Sequence, residues 1–210
     1  MNFLEGVNVY AVSDTGFKHL EYFRELLAAG ADVIQLRDKE LSDREFYQLA
    51  CELKKLSSGY KKFFIVNDRI DIAVAADAYG VHVGMNDLPV DAVRGIISDK
   101  KILGCTAHNF KEAKEAVRMG ADYISVGPIF ETETKKGLKP IKIDEAALIK
   151  DNINLPQVAI GGIKLENIEQ VKSMGFKNAA MIKALTFSHN KSDLISKIRK
   201  GLSNDIDRKA

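Results

Sequence analysis

The chain has 210 residues, 46% of them hydrophobic and 29% charged, a composition that excludes an intrinsically disordered protein. Thirty-one lysines and arginines stand against 29 aspartates and glutamates, and the resulting net charge of +2 excludes a general basic surface for nucleic acid or an anionic membrane. The two cysteines, Cys51 and Cys105, show neither a disulfide framework nor a zinc-site spacing and fit a reducing compartment.

Eight short apolar runs alternate with longer amphipathic stretches along the chain. The runs, each predicted to be a β-strand, are residues 7–12, 33–36, 63–66, 80–84, 101–105, 123–127, 157–162 and 178–185. The intervening stretches have helical periods, such as Phe46, Leu49, Leu53 and Leu56. Apolar strands that alternate with helices are typical of a parallel sheet buried on both faces. Eight such units predict a single-domain α/β fold, a (β/α)₈ TIM barrel over residues 1–202, with an open doubly wound sheet as the alternative.

Four phrases are predicted to end helices at the face opposite the active site: AAGAD, AADAYG, RMGAD and MGFKN. The polar residues 203–210 are expected to fray as a C-terminal tail. The N-terminus has no basic leader with a following apolar stretch, and no run approaches the ~18 apolar residues of a membrane span. We therefore expect a cytoplasmic protein without a membrane partner.

The active site of a parallel barrel is built from the loops that follow the strands. The residues at or after the carboxyl ends of the predicted strands are therefore the candidate site: Gln35, Arg37, Lys39, Asn67, Asp68, Asp87, Thr106, His108, Thr132, Thr134, Lys135, Gly162, Ile182 and Lys183.

Cations and carboxylates occur together in this set. Arg37, Lys39 and Lys135 supply donors for phosphate oxygens, whereas Asp68 and Asp87 would repel phosphate unless a cation lay between them. A hard cation held by one or two carboxylates and by phosphate oxygens is the usual arrangement for Mg²⁺, and the sequence therefore predicts Mg²⁺ on these two aspartates. The alternative is that each aspartate only caps the helix after it.

A second phosphate site is predicted near the last two strands. Gly161 and Gly162 follow a strand and precede a helix, where backbone amides bind phosphate, and Lys183 lies one strand further on. The alternative is that the glycine pair is only a tight corner. Among the histidines, His108 is expected to face a ligand, His82 to be a packed or hydrogen-bonded strand residue, and His19 and His189 to lie at the surface.

Five motifs in chain order resemble the thiamine-phosphate synthase family: QLRDK, VNDRIDIAVAADAYGVHVG with NDLP, GCTAH, ADYISVGPIFETETKK and VAIGGI. The resemblance implies a TIM-barrel transferase that uses Mg²⁺. It joins an aminopyrimidine methyl diphosphate to a thiazole phosphate, giving thiamine phosphate and pyrophosphate. The implied partners are these phosphorylated small molecules, and a homo-oligomer stays open.

The resemblance also implies roles for individual residues. Those implied to hold the pyrimidine diphosphate are Gln35, Arg37, Lys39, Asn67 and Lys135, with Asp68 and Asp87 on the metal. Thr106 stands where the family usually has serine. Thr132 and Thr134 would contact the thiazole phosphate, and Gly162 would donate backbone amides to it. Ile182 and Lys183 would complete this phosphate site. Arg37, Lys39, Thr106 and Lys135 are the expected catalytic residues, acting by leaving-group neutralisation and positioning.

Two positions depart from the family pattern. Met85 replaces a glutamine, and Lys183 replaces a serine of the thiazole-phosphate site. The alternatives are a metal-independent thiazole tautomerase that uses His108, and a non-catalytic barrel that binds a phosphorylated ligand. The sister tautomerase family tends to lose the metal-binding aspartate, so the presence of Asp68 and Asp87 favours the synthase.

Overall fold

The computed structural model describes residues 3–6, 8–132 and 137–203. In this part of the chain eight parallel strands form a closed barrel, in which β8 pairs with β1. The strands are β1 (Asn8–Val12), β2 (Val33–Leu36), β3 (Phe63–Asn67), β4 (Gly80–Val83), β5 (Ile102–Ala107), β6 (Tyr123–Val126), β7 (Gln157–Ile160) and β8 (Asn178–Met181). The predicted (β/α)₈ barrel is confirmed, and closure excludes the open sheet. Residues 204–210, most of the predicted tail, lie outside the described residues.

Helices follow the strands around the outside of the barrel. In the described ranges they are α1 (His19–Ala28), α2 (Asp43–Gly59), α3 (Ile70–Ala75), α4 (Val90–Ile97), α5 (Phe110–Arg118), α6 (Ile143–Asn152), α7 (Ile168–Ser173), α8 (Lys183–Thr186) and α9 (Lys191–Leu202). Short 3₁₀ turns cover Ser98–Lys100 and Leu165–Asn167. None of the helices formed by the described residues is long and apolar enough to cross a membrane.

The start of α2 illustrates how the sequence defines a helix. The Ser42 hydroxyl accepts a hydrogen bond from the Glu45 amide, and the Glu45 carboxylate accepts one from the Ser42 amide. This capping box satisfies two amides that the first turn leaves without partners. The apolar period then buries Phe46, Ala50 and Leu53 against the barrel.

Alternation along the strands divides the core into two layers. On β2, Ile34 and Leu36 belong to the larger apolar cluster between the strands and the helices, whereas Val33 belongs to a smaller cluster inside the barrel. Gln35, two residues after Val33, faces the interior as well, because successive side chains of a strand point to opposite faces. The strand register therefore decides which polar side chains enter the barrel.

Aromatic rings close the barrel at the amino-terminal ends of its strands. The ring of Phe3 lies 5.1 Å from that of Phe63 and 5.0 Å from that of Tyr123, and Phe63 lies 4.5 Å from Tyr79, measured between centroids. Phe63 and Tyr123 are the first residues of β3 and β6. These tilted and edge-to-face contacts fill the end of the barrel opposite the predicted active site.

The predicted helix-ending phrases are confirmed. After α1, the amides of Gly30 and Ala31 donate to the carbonyls of Leu27 and Leu26, with Gly30 at a φ of +101°. This is the Schellman arrangement, which requires a left-handed residue that glycine adopts without steric cost. The phrases after α3, α5 and α7 make the same pair of hydrogen bonds.

The last two strands are shorter than predicted. β7 ends at Ile160, because Gly161 and Gly162 have positive φ angles of +99° and +64° and leave the extended region. β8 ends at Met181, because Ile182 turns at φ −116° and ψ −82° and the chain enters α8. The prediction of a strand over 178–185 was wrong, since a short apolar run does not distinguish a strand from the first turn of a buried helix.

Candidate active site

A cavity of about 540 Å³ opens at the carboxyl-terminal ends of the strands. Nine of the predicted site residues line it: Gln35, Arg37, Asn67, Thr106, His108, Thr132, Gly162, Ile182 and Lys183. Lys39, Asp68 and Asp87 are not part of that lining, and Thr134 and Lys135 lie outside the described residues. The barrel thus brings together positions that are spread over most of the sequence.

Arg37 is anchored at the cavity wall by the loop that follows β1. Its guanidinium donates to the Asp14 carboxylate, and its backbone amide donates to the Ser13 hydroxyl at 3.0 Å. The Arg37 side chain is 12% exposed, so its charge is held in a partly dehydrated position where it acts strongly on an anion. Asp14 is absent from the predicted set, although its place after the first strand was an available signal.

The Asp38 carboxylate shapes the turn that presents Lys39. It accepts hydrogen bonds from the amides of Glu40 at 2.8 Å and Leu41 at 3.1 Å, and it lies 2.8 Å from His19 Nε2. Burial acts to raise the pKa of Asp38, but these hydrogen bonds outweigh it and the pKa lies below its ordinary value. His19 is only 6% exposed, so its predicted surface position was wrong. The reason is that α1 begins against this turn.

Asp68 and Asp87 do not act as helix caps. The N-cap residue of α3 is Arg69 and that of α4 is Pro89, so the alternative interpretation of the two aspartates as caps was wrong. Asp68 directly follows β3 and has a φ of +60°, a left-handed conformation that aspartate tolerates better than most residues. Asp87 Oδ2 accepts the Gly84 amide at 2.7 Å, and its Oδ1 makes no hydrogen bond to any described residue.

The donor chemistry at these two positions fits Mg²⁺. The aspartates follow β3 and β4, which pair with one another, and carboxylate oxygens are the ligands that this ion prefers. Within residues 3–6, 8–132 and 137–203 there is no group of three or more His, Cys, Asp or Glu side chains that would hold a metal alone. Mg²⁺ usually keeps several waters and takes further ligands from substrate phosphate.

Five buried polar side chains form a hydrogen-bonded chain inside the barrel, here named the barrel network: Gln35, Tyr10, Tyr123, His82 and Thr106. Gln35 Nε2 donates to the Tyr10 hydroxyl at 2.7 Å, which lies 2.8 Å from the Tyr123 hydroxyl. That hydroxyl is 2.9 Å from His82 Nδ1, and His82 Nε2 is 2.9 Å from Thr106 Oγ1. The prediction of a hydrogen-bonded strand histidine is confirmed for His82, whereas the tyrosines are absent from the predicted site.

The two tyrosines remain protonated. Burial raises the pKa of Tyr10 and of Tyr123 far above the ordinary value of a phenol. Their hydroxyls therefore act as neutral donors and acceptors within the barrel network. Gln35, His82 and Thr106 carry this network to the cavity wall.

His108 is held in one orientation at the cavity wall. Its Nδ1 donates to the Gly127 carbonyl, and its backbone amide donates to the Glu112 carboxylate at 2.7 Å. The Asn109 side chain caps α5 by accepting the Glu112 amide at 2.9 Å. Because a carbonyl can only accept, Nδ1 carries a proton, and Nε2 has no hydrogen-bond partner among the described residues.

The glycine pair after β7 lies against the loop that follows β6. A Cβ atom on either Gly161 or Gly162 would lie 2.4 Å from an atom of residues 128–131. The pair is therefore a tight corner, as the alternative interpretation had it, and both glycines also line the cavity. Lys164 and Lys183 line the cavity as well. Lys164 is absent from the predicted set, although it follows the glycine pair closely.

The family model described as thiamine monophosphate synthase matches residues 9–185, which contain every strand after the first residue of β1. The chain belongs to the thiamine monophosphate synthase family. Among relatives of this family, the thiamine-phosphate synthase of Alkaliphilus oremlandii is 42% identical over 186 residues, covering 87% of this chain and 89% of the relative. The thiamine-phosphate synthase of Methanosarcina barkeri is 41% identical over 194 residues, covering 89% and 86%.

A solved structure of the family has the same architecture. Thiamine phosphate pyrophosphorylase from Pyrococcus furiosus superposes with a TM-score of 0.86 at 32% sequence identity, covering 96% of this chain and 98% of that protein. The resemblance on the five motifs is thus confirmed at the level of the family. The likeness extends over the whole barrel and is not restricted to the site.

Proposed function

We propose that this chain is a thiamine-phosphate synthase. It joins 4-amino-2-methyl-5-(diphosphooxymethyl)pyrimidine to a hydroxyethylthiazole phosphate and releases thiamine phosphate and pyrophosphate. One observation carries the proposal. The chain belongs to the family, and nine of the predicted site residues line one cavity at the carboxyl ends of its strands. Its lining includes cationic, amide and hydroxyl groups, which are the kinds of donor that bind phosphate oxygens.

The reaction needs no nucleophile from the protein. The C–O bond between the pyrimidine methylene and the diphosphate breaks, the diphosphate leaves with the electron pair, and the thiazole nitrogen forms the new C–N bond. Cys105, next to Thr106, is no competing nucleophile, because burial raises the pKa of its thiol to about 12. Catalysis then consists of positioning, worth about 7–11 kcal/mol in favourable cases, and of stabilising the departing charge.

Each end of the cavity has a distinct task in this proposal. Arg37, with Lys39 and Lys135, neutralises the diphosphate as it departs, and the anchor from Asp14 keeps the Arg37 guanidinium in place. Gly162 and Lys183 bind the thiazole phosphate, with Thr132, Thr134 and Ile182 beside them. Gln35, Asn67, Thr106 and His108 orient the rings. Mg²⁺ held by Asp68 and Asp87 would supply the remaining positive charge at the diphosphate.

The relatives favour the synthase over the two alternatives. Both relatives described above carry the synthase name, and neither name indicates a tautomerase or a binding protein. The tautomerase would need His108 as acid or base without a metal. We place the protein in the cytoplasm with small phosphorylated molecules as its partners. A homo-oligomer stays an open prediction, which light scattering of the purified protein tests.

Pyrophosphate release tests the proposed function. Purified protein with both substrates and Mg²⁺ should release pyrophosphate, and omitting either substrate should prevent release. No release with all components present would contradict the proposal. Calorimetric titration with the pyrimidine diphosphate should also show binding that requires Mg²⁺.

A matched pair of variants tests the metal assignment. Asp68→Asn should lower Mg²⁺-dependent turnover by at least about tenfold, since even outer partners of metal sites contribute this much. Its melting temperature should shift by less than about 4 °C, because asparagine also tolerates a positive φ. The control is Asp71→Asn, three residues along, which removes an exposed ion pair with Arg69 and should leave turnover unchanged. Equal turnover in both variants would remove Asp68 from the metal site.

A further inference from the structure

We propose that Tyr123, supported by Tyr10, is a positioning residue that fixes the tautomer of His82 and thereby makes the Thr106 hydroxyl a hydrogen-bond donor toward the cavity. The proposal concerns two tyrosines that do not line the cavity and whose hydroxyls, among the described residues, form hydrogen bonds only within the barrel network. Its consequence for turnover rests on the proposed function, whereas the tautomer of His82 does not.

The direction of the barrel network follows from its proton count. An amide nitrogen can only donate, so the Tyr10 oxygen accepts from Gln35 Nε2. Tyr10 then has one proton of its own, and its other partner is the Tyr123 hydroxyl. Because the Tyr10 side chain is buried, an unused proton there would cost the full desolvation of a donor. Tyr10 therefore donates to Tyr123.

The same reasoning continues to His82. Tyr123 accepts from Tyr10, and its own proton goes to its other partner, His82 Nδ1. A nitrogen that accepts carries no hydrogen, so the neutral ring has its proton on Nε2. This Nε2–H donates to Thr106 Oγ1 at 2.9 Å. In this direction the protons of Tyr10, Tyr123 and His82 each have an acceptor. In the reverse direction the Tyr10 proton would be left without an acceptor.

The chain ends at the cavity with one unused proton. Thr106 Oγ1 accepts from His82, and the described residues offer its own hydrogen no other acceptor. Thr106 lines the cavity, so this hydrogen is directed to an acceptor atom of the bound ligand, such as a ring nitrogen or a phosphate oxygen. The site therefore selects for an acceptor at this point and discriminates against a ligand that presents a donor.

Nitrogen NMR of the ¹⁵N-histidine-labelled protein tests the tautomer directly. The His82 signals are assigned by their loss in His82→Gln, and at neutral pH they should show a protonated Nε2 and an unprotonated Nδ1. A protonated Nδ1, alone or together with Nε2, would overturn the proposal. It would mean that the Gln35 amide is turned over and that the chain runs the other way. This measurement uses the wild-type protein and holds even if pyrophosphate release fails.

Two tyrosine variants separate positioning from packing. Tyr123→Phe removes the donor to His82 Nδ1 and should produce a mixture of His82 tautomers, with kcat lowered roughly two- to tenfold, the equivalent of one hydrogen bond. The matched control is Tyr22→Phe, which removes another buried hydroxyl, one that donates to the Val12 carbonyl outside the barrel network. The control should lose stability without changing the His82 signals or kcat. Unchanged His82 signals in Tyr123→Phe would overturn the proposal.

A pair of threonine variants provides a further test should Tyr123→Phe fail to fold. Thr106→Ser keeps the hydroxyl and should retain most of the activity, whereas Thr106→Val keeps the shape and removes the donor. Thr106→Val should raise KM for the substrate that presents the acceptor, with the loss restored in Thr106→Ser. Equal KM values in the two variants would show that Thr106 donates nothing to the ligand.

Discussion

Substitution of Gly104 by alanine should disturb the centre of the barrel. Gly104 lies on β5 in register with His82 on β4 and with Tyr123 on β6. A Cβ atom at this position would lie 2.1 Å from Tyr123 Cζ and 2.5 Å from His82 Nδ1. The glycine therefore leaves the space through which the Tyr123 hydroxyl reaches the imidazole.

The size of the effect follows from these distances. Ordinary contacts of a Cβ begin at 3.4 Å, so the Tyr123 ring and the His82 ring must both move, each by about 1 Å. Overpacking of a core costs about 1–3 kcal/mol, and losing the bond between Tyr123 and His82 strands a buried donor at a further ~1–3 kcal/mol. For a chain of this length about 1 kcal/mol changes the melting temperature by about 2–4 °C. Gly104→Ala should therefore melt at least about 4 °C below the wild type.

A second glycine supplies the control. Gly95 lies on the exposed side of α4, and a Cβ atom added there would have no neighbouring atom within 4 Å. Alanine at this position should stabilise the protein by about 0.5–1 kcal/mol, because glycine is a poor helix former. Thermal denaturation followed by circular dichroism compares the two variants with the wild type. A Gly104→Ala protein that melts at or above the wild-type temperature would refute the packing argument, whatever its activity.

Three further predictions concern the site and its supporting turn. Because the pKa of Asp38 lies below its unfolded value, its ionised form stabilises the fold above about pH 4 and this contribution disappears as the pH falls through the folded pKa. The difference in free energy of unfolding between wild type and Asp38→Asn, measured in urea, should therefore shrink from pH 6 to pH 3, and a constant difference would contradict the prediction. Lys183→Ser should raise KM for the thiazole phosphate with little change in kcat. The control Lys200→Ser on α9 should change neither constant. An unaltered KM in Lys183→Ser would show that Lys183 does not belong to the thiazole-phosphate site. EDTA should stop pyrophosphate release, and added Mg²⁺ should restore it. The tautomerase would be supported if the protein isomerised a thiazole carboxylate phosphate in EDTA and lost this activity in His108→Ala.

The strands were predictable because each is a continuous apolar run, and their carboxyl ends identified nine of the residues that line the cavity. Residues at or directly after the end of a strand, such as Asn67 and Arg37, reach the cavity because parallel strands all end on the same side. The end of β8 was not predictable, because the turn at Ile182 depends on backbone angles that an apolar pattern does not encode.

The barrel network could not be predicted for a different reason. A tyrosine inside an apolar strand is usually a packing residue, and nothing in the local sequence pairs Tyr10 with Tyr123, which are 113 positions apart. That pairing depends on the stagger of the closed barrel. His19 was misassigned for a similar reason, since its partner Asp38 lies on another loop and the pair forms only once α1 packs beside β2.

An aromatic plug affects how ligands enter and leave the barrel. It is formed by Phe3, Phe63, Tyr79 and Tyr123. Among the described residues these rings fill the amino-terminal end of the barrel, and under the proposed function the reactants enter and the products leave through the cavity at the opposite end. The reactant that lies deeper must arrive first, and the product that lies deeper must wait until the other has gone. Slow release of the product nearer the cavity opening would then prevent release of the other product. Accumulation of that outer product should therefore slow turnover without a separate inhibitory site.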